Sequence, residues 1–157
     1  MTLNKRSIRG EKMRRKDREM GRDFGLKIID QAKYGVLSMI TEEGEAYGVP
    51  LSIVREGNRL YFHSAKDGRK VRALAKNPKA SIAFVGEVKV PEIFTKGDLD
   101  EIIKDETKKA VLISKVFTTE FASAIVKGRV RLIEEEDERI KGMKLICEKY
   151  TPSKMDY

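Results

Sequence analysis

The chain has 157 residues, a length that suits one compact domain. Hydrophobic residues make up 40% of it and charged residues 37%, which excludes a wholly disordered protein. No stretch reaches the roughly 18 apolar residues of a membrane helix, and the N-terminus lacks the apolar segment of a secretory signal. A single Cys and a single His exclude an intramolecular disulfide and a multi-histidine metal site. We therefore expect a soluble, cytoplasmic protein without a metal or a membrane partner.

The net charge of +8 is concentrated at the N-terminus. Residues 1–22 contain nine basic and three acidic side chains and so carry +6 of the total. We predict that they form a basic N-terminal arm and that residues 23–157 form the folded domain. Such an arm can bind phosphate backbones, but a surface rich in Lys and Glu is also typical of heat-adapted proteins. We favour the second interpretation and expect no nucleic-acid partner.

The first half of the domain predicts one helix followed by an antiparallel meander. Asp23 and Gly35 are typical of the two ends of a short helix. Pro50 lies in the second strand, where it favours an edge position because it cannot donate to a sheet. The three strands expected here, with turns at 42–45 and 57–58, are 36–41, 47–53 and 60–63.

The second half predicts helices and strands in alternation. A helix over 67–76 is followed by a strand at 80–85, and the segment 89–116 is predicted to be a charged insert. A long strand at 121–133 and a final helix at 135–150 complete the chain. Their inward residues are expected to be Ala122, Ala124, Val126, Val130 and Leu132 in the strand, and Ile140, Met143, Ile146, Cys147 and Tyr150 in the helix.

The number of strands and the short links between them predict a small antiparallel barrel rather than a doubly wound parallel sheet. Neither a GxGxxG fingerprint opening a helix nor a GxxxxGK[ST] loop is present. The sequence therefore disfavours a Rossmann enzyme and a P-loop protein.

The segment YFHSAKDGRKVRALAKNP (61–78) carries the most chemical information. Arg69 offers a planar fork for phosphate oxygens, Lys70 a compact charge and Ser64 a hydroxyl, next to the first amides of a helix. This pattern predicts a phosphate site, although the two bases could equally decorate a helix face. His63 precedes the loop and is either a hydrogen-bonded structural histidine or a functional one. No catalytic triad can be assembled, so in an enzyme a cofactor would supply the reactivity.

Several segments also resemble one known superfamily. A strand leads to Arg69-Lys70, and the following helix ends at Asn77-Pro78, as in the pyridoxamine 5′-phosphate oxidase-like, FMN-binding split-barrel superfamily. Other segments resemble its nitroimidazole-resistance (Nim) branch: MRRKDRE (13–19), AYGVPLSIV (46–54) with YFHSA (61–65), and SAIVKGRVRLIEE (123–135) with EKYTP (148–152). The resemblance implies a mainly β fold, a six-stranded antiparallel FMN-binding split β-barrel with flanking helices.

The resemblance also implies where a flavin binds. The protein would form a homodimer, with FMN in clefts at the subunit interface. His63 matches the histidine beside the flavin and is the candidate catalytic residue, and the partner subunit would contribute from around 121–123. The implied cofactor-binding residues are Val49, Pro50, Leu51 and Ser52 along the ring, His63, Ser64, Ala65, Lys66, Arg69 and Lys70 towards the phosphate, and Phe121 and Ser123.

The function that follows is that of an FMN-dependent oxidoreductase. Its partners would be a small-molecule electron donor and an acceptor, such as a nitroaromatic compound. A non-catalytic flavin- or haem-binding module is the alternative, and the motifs leave F420 open as a relative of FMN.

Overall fold

The computed structural model describes residues 1–4 and 13–155. The central part of the predicted basic arm, residues 5–12, lies outside the described residues. The chain divides into two compact units. Unit 1 comprises Met1–Val85 and Ser123–Tyr157, and unit 2 comprises Gly86–Ala122. The predicted insert at 89–116 falls inside unit 2.

The regular elements alternate along the chain. In chain order they are β1 (Thr2–Asn4), α1 (Arg22–Gln31), β2 (Gly35–Ile40), β3 (Ala46–Leu51), β4 (Val54–Glu56), β5 (Arg59–Tyr61), α2 (Arg69–Lys76), β6 (Lys79–Val85), α3 (Lys96–Lys104), α4 (Lys109–Val111), β7 (Ser123–Arg131) and α5 (Glu136–Tyr150), with 3-10 turns at Lys16–Arg18, Glu106–Lys108 and Pro152–Lys154 and a π-helical segment at Leu112–Val116.

The strands of unit 1 form one antiparallel sheet in the order β3-β2-β6-β7-β1-β5-β4. Leu37, Ile82 and Phe84 are fully buried on its inner face, and α1 and α2 lie against the same strands. No pairing joins β3 to β4 among the described residues, so the sheet is open between its end strands. The predicted class, mainly β with antiparallel strands and flanking helices, is confirmed.

The N-terminus differs from its prediction as part of an arm. Thr2–Asn4 is a strand in the interior of the sheet, between β5 and β7. Thr2 lies opposite both Tyr61 and Arg131, and its side chain is buried. The described strands therefore number seven rather than six.

The predicted meander is only partly correct. β2 and β3 form the expected hairpin, and β3 pairs with no other described strand, which confirms the edge position of Pro50. However, the chain leaves β3 at Ser52 and crosses to the other end of the sheet, where β4 and β5 form a separate hairpin. Ile53, in the link between β3 and β4, is fully buried, and the buried Val54 follows it, so the alternation of burial stops there.

Four predicted packing roles are wrong. Gly35 does not cap α1, which ends at Gln31; it begins β2, where a Cβ would lie 2.8 Å from side-chain atoms of Ile82 and Phe84. Three residues predicted to face inward are largely exposed, with exposed fractions of 64% at Leu132, 59% at Ile140 and 45% at Met143. In contrast Ala124, Val126 and Val130 alternate with exposed neighbours along β7, as predicted.

Unit 2 has its own short-range order. A reciprocal capping box between Thr95 and Asp98 starts α3, because each side chain accepts a backbone N–H of the other residue. Lys89 and Glu120 form an antiparallel bridge near the two ends of the unit. Among the described residues of the whole chain, no helix is both long and apolar enough to cross a bilayer.

Candidate functional site

The loop between β5 and α2 ends in a helix N-terminus without a side-chain cap. Gly68 is the N-cap residue, with a φ of 129° that favours glycine. Its N–H donates to the Asp67 carboxylate, which lowers the pKa of that group. No side chain caps α2. Amides in the first turn of a helix carry partial positive charge and suit an anion.

Two lysines beside this N-terminus have no carboxylate partner in the described part of the chain. Lys66 is exposed on the loop. Lys70 lies in the first turn of α2, with its Nζ 5.9 Å from the centre of the Phe62 ring. Burial lowers the pKa of Lys70, since a partly desolvated ammonium loses hydration. An anionic ligand would restore the stabilisation that burial removes.

Arg69 faces a different strand from Lys70. Its guanidinium forms an ion pair with Glu45 and lies 4.9 Å above the centre of the Tyr47 ring. Both carboxylate and guanidinium are largely exposed, so the pair adds little stability. The first turn of α2 thus presents one cation to β3 and one to the end of β5.

His63 is exposed and makes no side-chain hydrogen bond within the described structure. Its surroundings therefore do not match those of a buried, hydrogen-bonded structural histidine. Ser64 is half-buried, whereas Ala65 and Lys66 are exposed. The segment 63–66 leaves its polar atoms free to meet a ligand.

A cavity of about 620 Å³ opens beside this segment. His63, Ser64, Ala65 and Lys66 line it together with residues of α2, the end of β7 and α5. A cleft of this size, apolar in most of its wall, is typical of small-molecule sites. The lining residues that sequence reasoning missed include Val71, Leu74, Arg131, Leu132, Arg139 and Met143.

The remaining predicted site residues lie elsewhere. Val49, Pro50 and Leu51 belong to the edge strand β3, and Ser52 follows it. Ser123 begins β7 opposite Val85. Phe121 is exposed and belongs to unit 2. The contribution of Phe121 and Ser123 to a partner's site stays a prediction.

Lys149 and Tyr150, within the EKYTP segment, hold the end of β3 in place. The Tyr150 hydroxyl bonds both backbone groups of Ile53, and the Lys149 ammonium donates to the Ile53 and Ile29 carbonyl groups. Burial raises the pKa of Tyr150 and lowers that of Lys149, in each case by disfavouring the charged form. These contacts give the segment a positioning role for the strand that carries Val49–Ser52.

No group of three or more His, Cys, Asp or Glu in the described residues is arranged to hold a metal ion. The donors near α2 are instead lysines, amides and an arginine, and these suit a phosphate rather than a cation. Together with the antiparallel sheet, they define a mainly β protein with a helix start whose donors suit an anion.

The sequence profile of the family named pyridoxamine 5′-phosphate oxidase matches residues 22–157. The chain therefore belongs to this family, and the resemblance stated from the motifs is confirmed. No curated protein matches the chain in sequence.

Solved structures share the fold. A proposed 5-nitroimidazole antibiotic resistance protein from Bacteroides thetaiotaomicron is similar with a TM-score of 0.66 and 23% identity, over 88% of this chain and 72% of that one. The flavocytochrome Anf3 from Azotobacter vinelandii is similar with a TM-score of 0.64 and 17% identity, over 88% of this chain and 55% of that one. An FAD- and haem-binding protein from Mycobacterium smegmatis gives a TM-score of 0.60 and 16% identity, over 88% and 58% of the two chains. At these identities the likeness concerns the fold.

Proposed function

We propose that this protein is a flavin-dependent oxidoreductase that binds FMN. The observation that carries the proposal is the start of α2, where helix amides have no side-chain cap and Lys66 and Lys70 have no carboxylate partner among the described residues. His63, which lines the same cavity as Lys66, makes no side-chain hydrogen bond within this part of the chain. Flavin- and haem-binding proteins among the protein's structural relatives support the proposal. When bound, FMN supplies two-electron transfer; the protein supplies position and electrostatics.

The donors fit the phosphate of FMN. Lys70 and the amides of the first turn of α2 would bind its oxygens, and Lys66 would add a mobile charge. Arg69 would join them once it breaks its ion pair with Glu45 and binds the phosphate instead. β3 pairs with β2 on one side only, so among the described residues the backbone groups that point away from β2 between Val49 and Ser52 are open to the polar edge of a flat ring.

His63 would lie beside the ring system in this arrangement. An imidazole can donate a hydrogen bond from one ring nitrogen and accept one at the other. We assign it the role of a proton donor or acceptor at the flavin or at the substrate. The reductant and a nitroaromatic acceptor would approach from the cavity that His63 lines.

A homodimer would complete the site. The outer face of β3, β2, β6 and β7 carries one row across four strands, formed by Pro50, Val36, Ala83 and Ile125. Pro50 is exposed and Ile125 is 67% exposed, so the row is an uncovered apolar patch. A second copy placed on this face by a twofold axis would bury it and bring Phe121 and Ser123 of the partner towards the flavin.

A haem-binding module is the second candidate, because the imidazole of His63 makes no hydrogen bond in the described structure and could hold the iron of a haem. Absorption spectra separate the two candidates. A flavin and a haem, bound in turn to the same purified protein, give different visible bands. His63→Ala would remove the haem spectrum but leave the affinity for FMN that depends on its phosphate.

The test of the proposed function is titration of the double variant Arg69→Ala/Lys70→Ala with FMN and with riboflavin. Charge-assisted bonds contribute about 1.5 to 3 kcal/mol each, so FMN affinity should fall about 100-fold or more. Riboflavin has no phosphate, and its affinity should change much less. Equal losses for the two ligands would remove this pair from the phosphate site.

Electron transfer is measured on the wild-type protein after anaerobic reduction of bound FMN. Reoxidation by a nitroimidazole should be faster than that of free FMN. If it is no faster, the protein is a flavin-binding module and not a nitroreductase.

A further inference from the structure

The cavity beside His63 has a wall of apolar residues that the chain itself leaves uncovered. Met143 has the spacing of an inward residue in α5 and Leu132 follows β7, yet both are largely exposed and both line this cavity. Their neighbours Ile133 and Ile146 are buried and line the same wall. An amphipathic pattern that the fold leaves exposed indicates a surface that something else covers.

The charged side chains that line the cavity are all positive. Lys66, Arg131 and Arg139 line it, and the described lining residues include no Asp or Glu. Lys66 forms no ion pair in the described structure, and Arg139 has only the exposed Glu136, at 3.8 Å. These two cations are free to turn towards an occupant.

Arg131 has a different role in the same wall. Its guanidinium is held by Glu138 and by Glu135, on α5 and just before it. These two ion pairs offset the positive charge of Arg131. The positive charge that an occupant meets therefore comes mainly from Arg139, from Lys66 and from the N-terminal ammonium of Met1, which also lines the cavity.

We propose that this cavity binds the organic substrate of the protein. The substrate is an organic anion with an apolar ring, of the aromatic carboxylate class. Naming it a substrate rests on the proposed function, whereas the binding preference rests on the cavity alone. A volume of about 620 Å³ suits a small molecule with one ring system. The apolar part would cover Leu132 and Met143, and the carboxylate would pair with Arg139.

The lining combines positive charge with a mostly apolar wall. A small anion satisfies both the charge and the apolar wall.

The experiment compares 4-nitrobenzoate with its methyl ester, a neutral analogue of the same ring, by calorimetry on the full chain without flavin. The carboxylate should bind about tenfold tighter than the ester at low salt, and high salt should reduce the difference. Arg139→Gln should weaken 4-nitrobenzoate about three- to tenfold and leave the ester unchanged. Met143→Glu should abolish binding of the carboxylate, since it places a negative charge in the wall.

Arg129→Gln is the matched control, because Arg129 is an exposed arginine of β7 that does not line this cavity. All three positions are exposed, so the variants should fold, which circular dichroism would verify. Equal affinities for the two probes, or equal effects of Arg139→Gln and Arg129→Gln, would overturn the inference. Charge-selective binding in a protein that fails to bind FMN would keep the anion site and reject the flavin function.

Discussion

The hydroxyl of Tyr150 is bonded to both backbone groups of Ile53, 97 positions earlier in the chain. It accepts from the Ile53 N–H at 2.9 Å and donates to the Ile53 carbonyl at 2.8 Å. Ile53 is fully buried at the point where the chain leaves β3 and crosses to β4. The last residue of α5 therefore sets where the edge strand ends.

Tyr150→Phe should destabilise the protein by about 1–3 kcal/mol, because the Ile53 N–H loses its acceptor while it stays buried. Lys149 still donates to the Ile53 carbonyl, so the loss concerns mainly the N–H. Urea unfolding measures the change. FMN affinity should also fall, since Ser52 precedes the released residue.

Tyr34→Phe is the control for this change, because Tyr34 is exposed and makes no side-chain hydrogen bond in the described structure. Its stability should stay within about 0.5 kcal/mol of the wild type. If the two variants unfold alike, Tyr150 does not hold the crossing segment.

Gly35→Ala should destabilise the protein through overpacking. The added Cβ would lie 2.8 Å from Ile82 Cγ2 and Phe84 Cε1, both on buried side chains. A cost of about 1–3 kcal/mol is expected in the free energy of unfolding. Gly25→Ala, inside α1 with nothing near its Cβ, should instead stabilise by about 0.5–1 kcal/mol. A neutral Gly35→Ala would mean that the sheet can shift to accept the methyl group.

Local patterns were enough to predict β2, α2, β6 and β7, because each carries the period of its own element. They were not enough for β1. Thr2–Asn4 is three residues long and becomes a strand only because β5 and β7 lie on its two sides. The requirement for glycine at position 35 also depends on distant residues, because the side chains that exclude a Cβ there, Ile82 and Phe84, lie 47 and 49 residues later in the chain.

Some residues of the candidate site could also be predicted from the sequence, and others could not. The donors near α2 lie within a few residues of one another, so sequence spacing brings them together. The partner of Arg69 does not follow from spacing, because three strands separate Glu45 from Arg69 in the chain. The sequence shows that Leu132 and Met143 are apolar but not that they line a cavity, because distant elements form that cavity.

Glu45→Gln should strengthen FMN binding by about two- to fivefold, because a surface ion pair of this kind contributes about 0.2–1 kcal/mol that the phosphate would have to replace. Riboflavin affinity should not change. Glu43→Gln, in the same turn, is the control, since the Glu43 carboxylate bonds Thr41 instead. Weaker FMN binding by Glu45→Gln would show that Glu45 orients Arg69 for the ligand rather than competing with it.

Ile125→Lys should convert a dimer into a monomer. The substitution places a charge at the β7 end of the exposed apolar row on the outer face of the sheet, where burial against a second copy would be costly. Light scattering measures the mass, and FMN titration should show weaker binding because each site would lose its second wall. Ile103→Lys is the control, since Ile103 is an exposed isoleucine of α3 in unit 2. A dimer that survives Ile125→Lys would place the interface elsewhere.

Glu138 should make the protein sensitive to acid. Its side chain is only 16% exposed and accepts from Arg59, Arg131 and the Tyr61 hydroxyl. The hydrogen bond from Arg131 is the main reason that the pKa of Glu138 is lowered from 4.5. In acid the unfolded chain binds this proton first, so stability falls as the pH drops from the ordinary pKa through the lowered one.

Glu138→Gln should therefore be less stable than the wild type at neutral pH, and the difference should shrink as the pH falls below 4.5. Urea unfolding at several pH values between about 3 and 7 follows both proteins across the window. Glu136→Gln is the matched control, because Glu136 lies in the same first turn of α5 but is exposed. Its contact with Arg139 is long, at 3.8 Å. Both variants lose the same favourable charge at the helix N-terminus, so only the ion pairs of Glu138 distinguish them. Identical pH dependence in the two variants would mean that those ion pairs add nothing to stability.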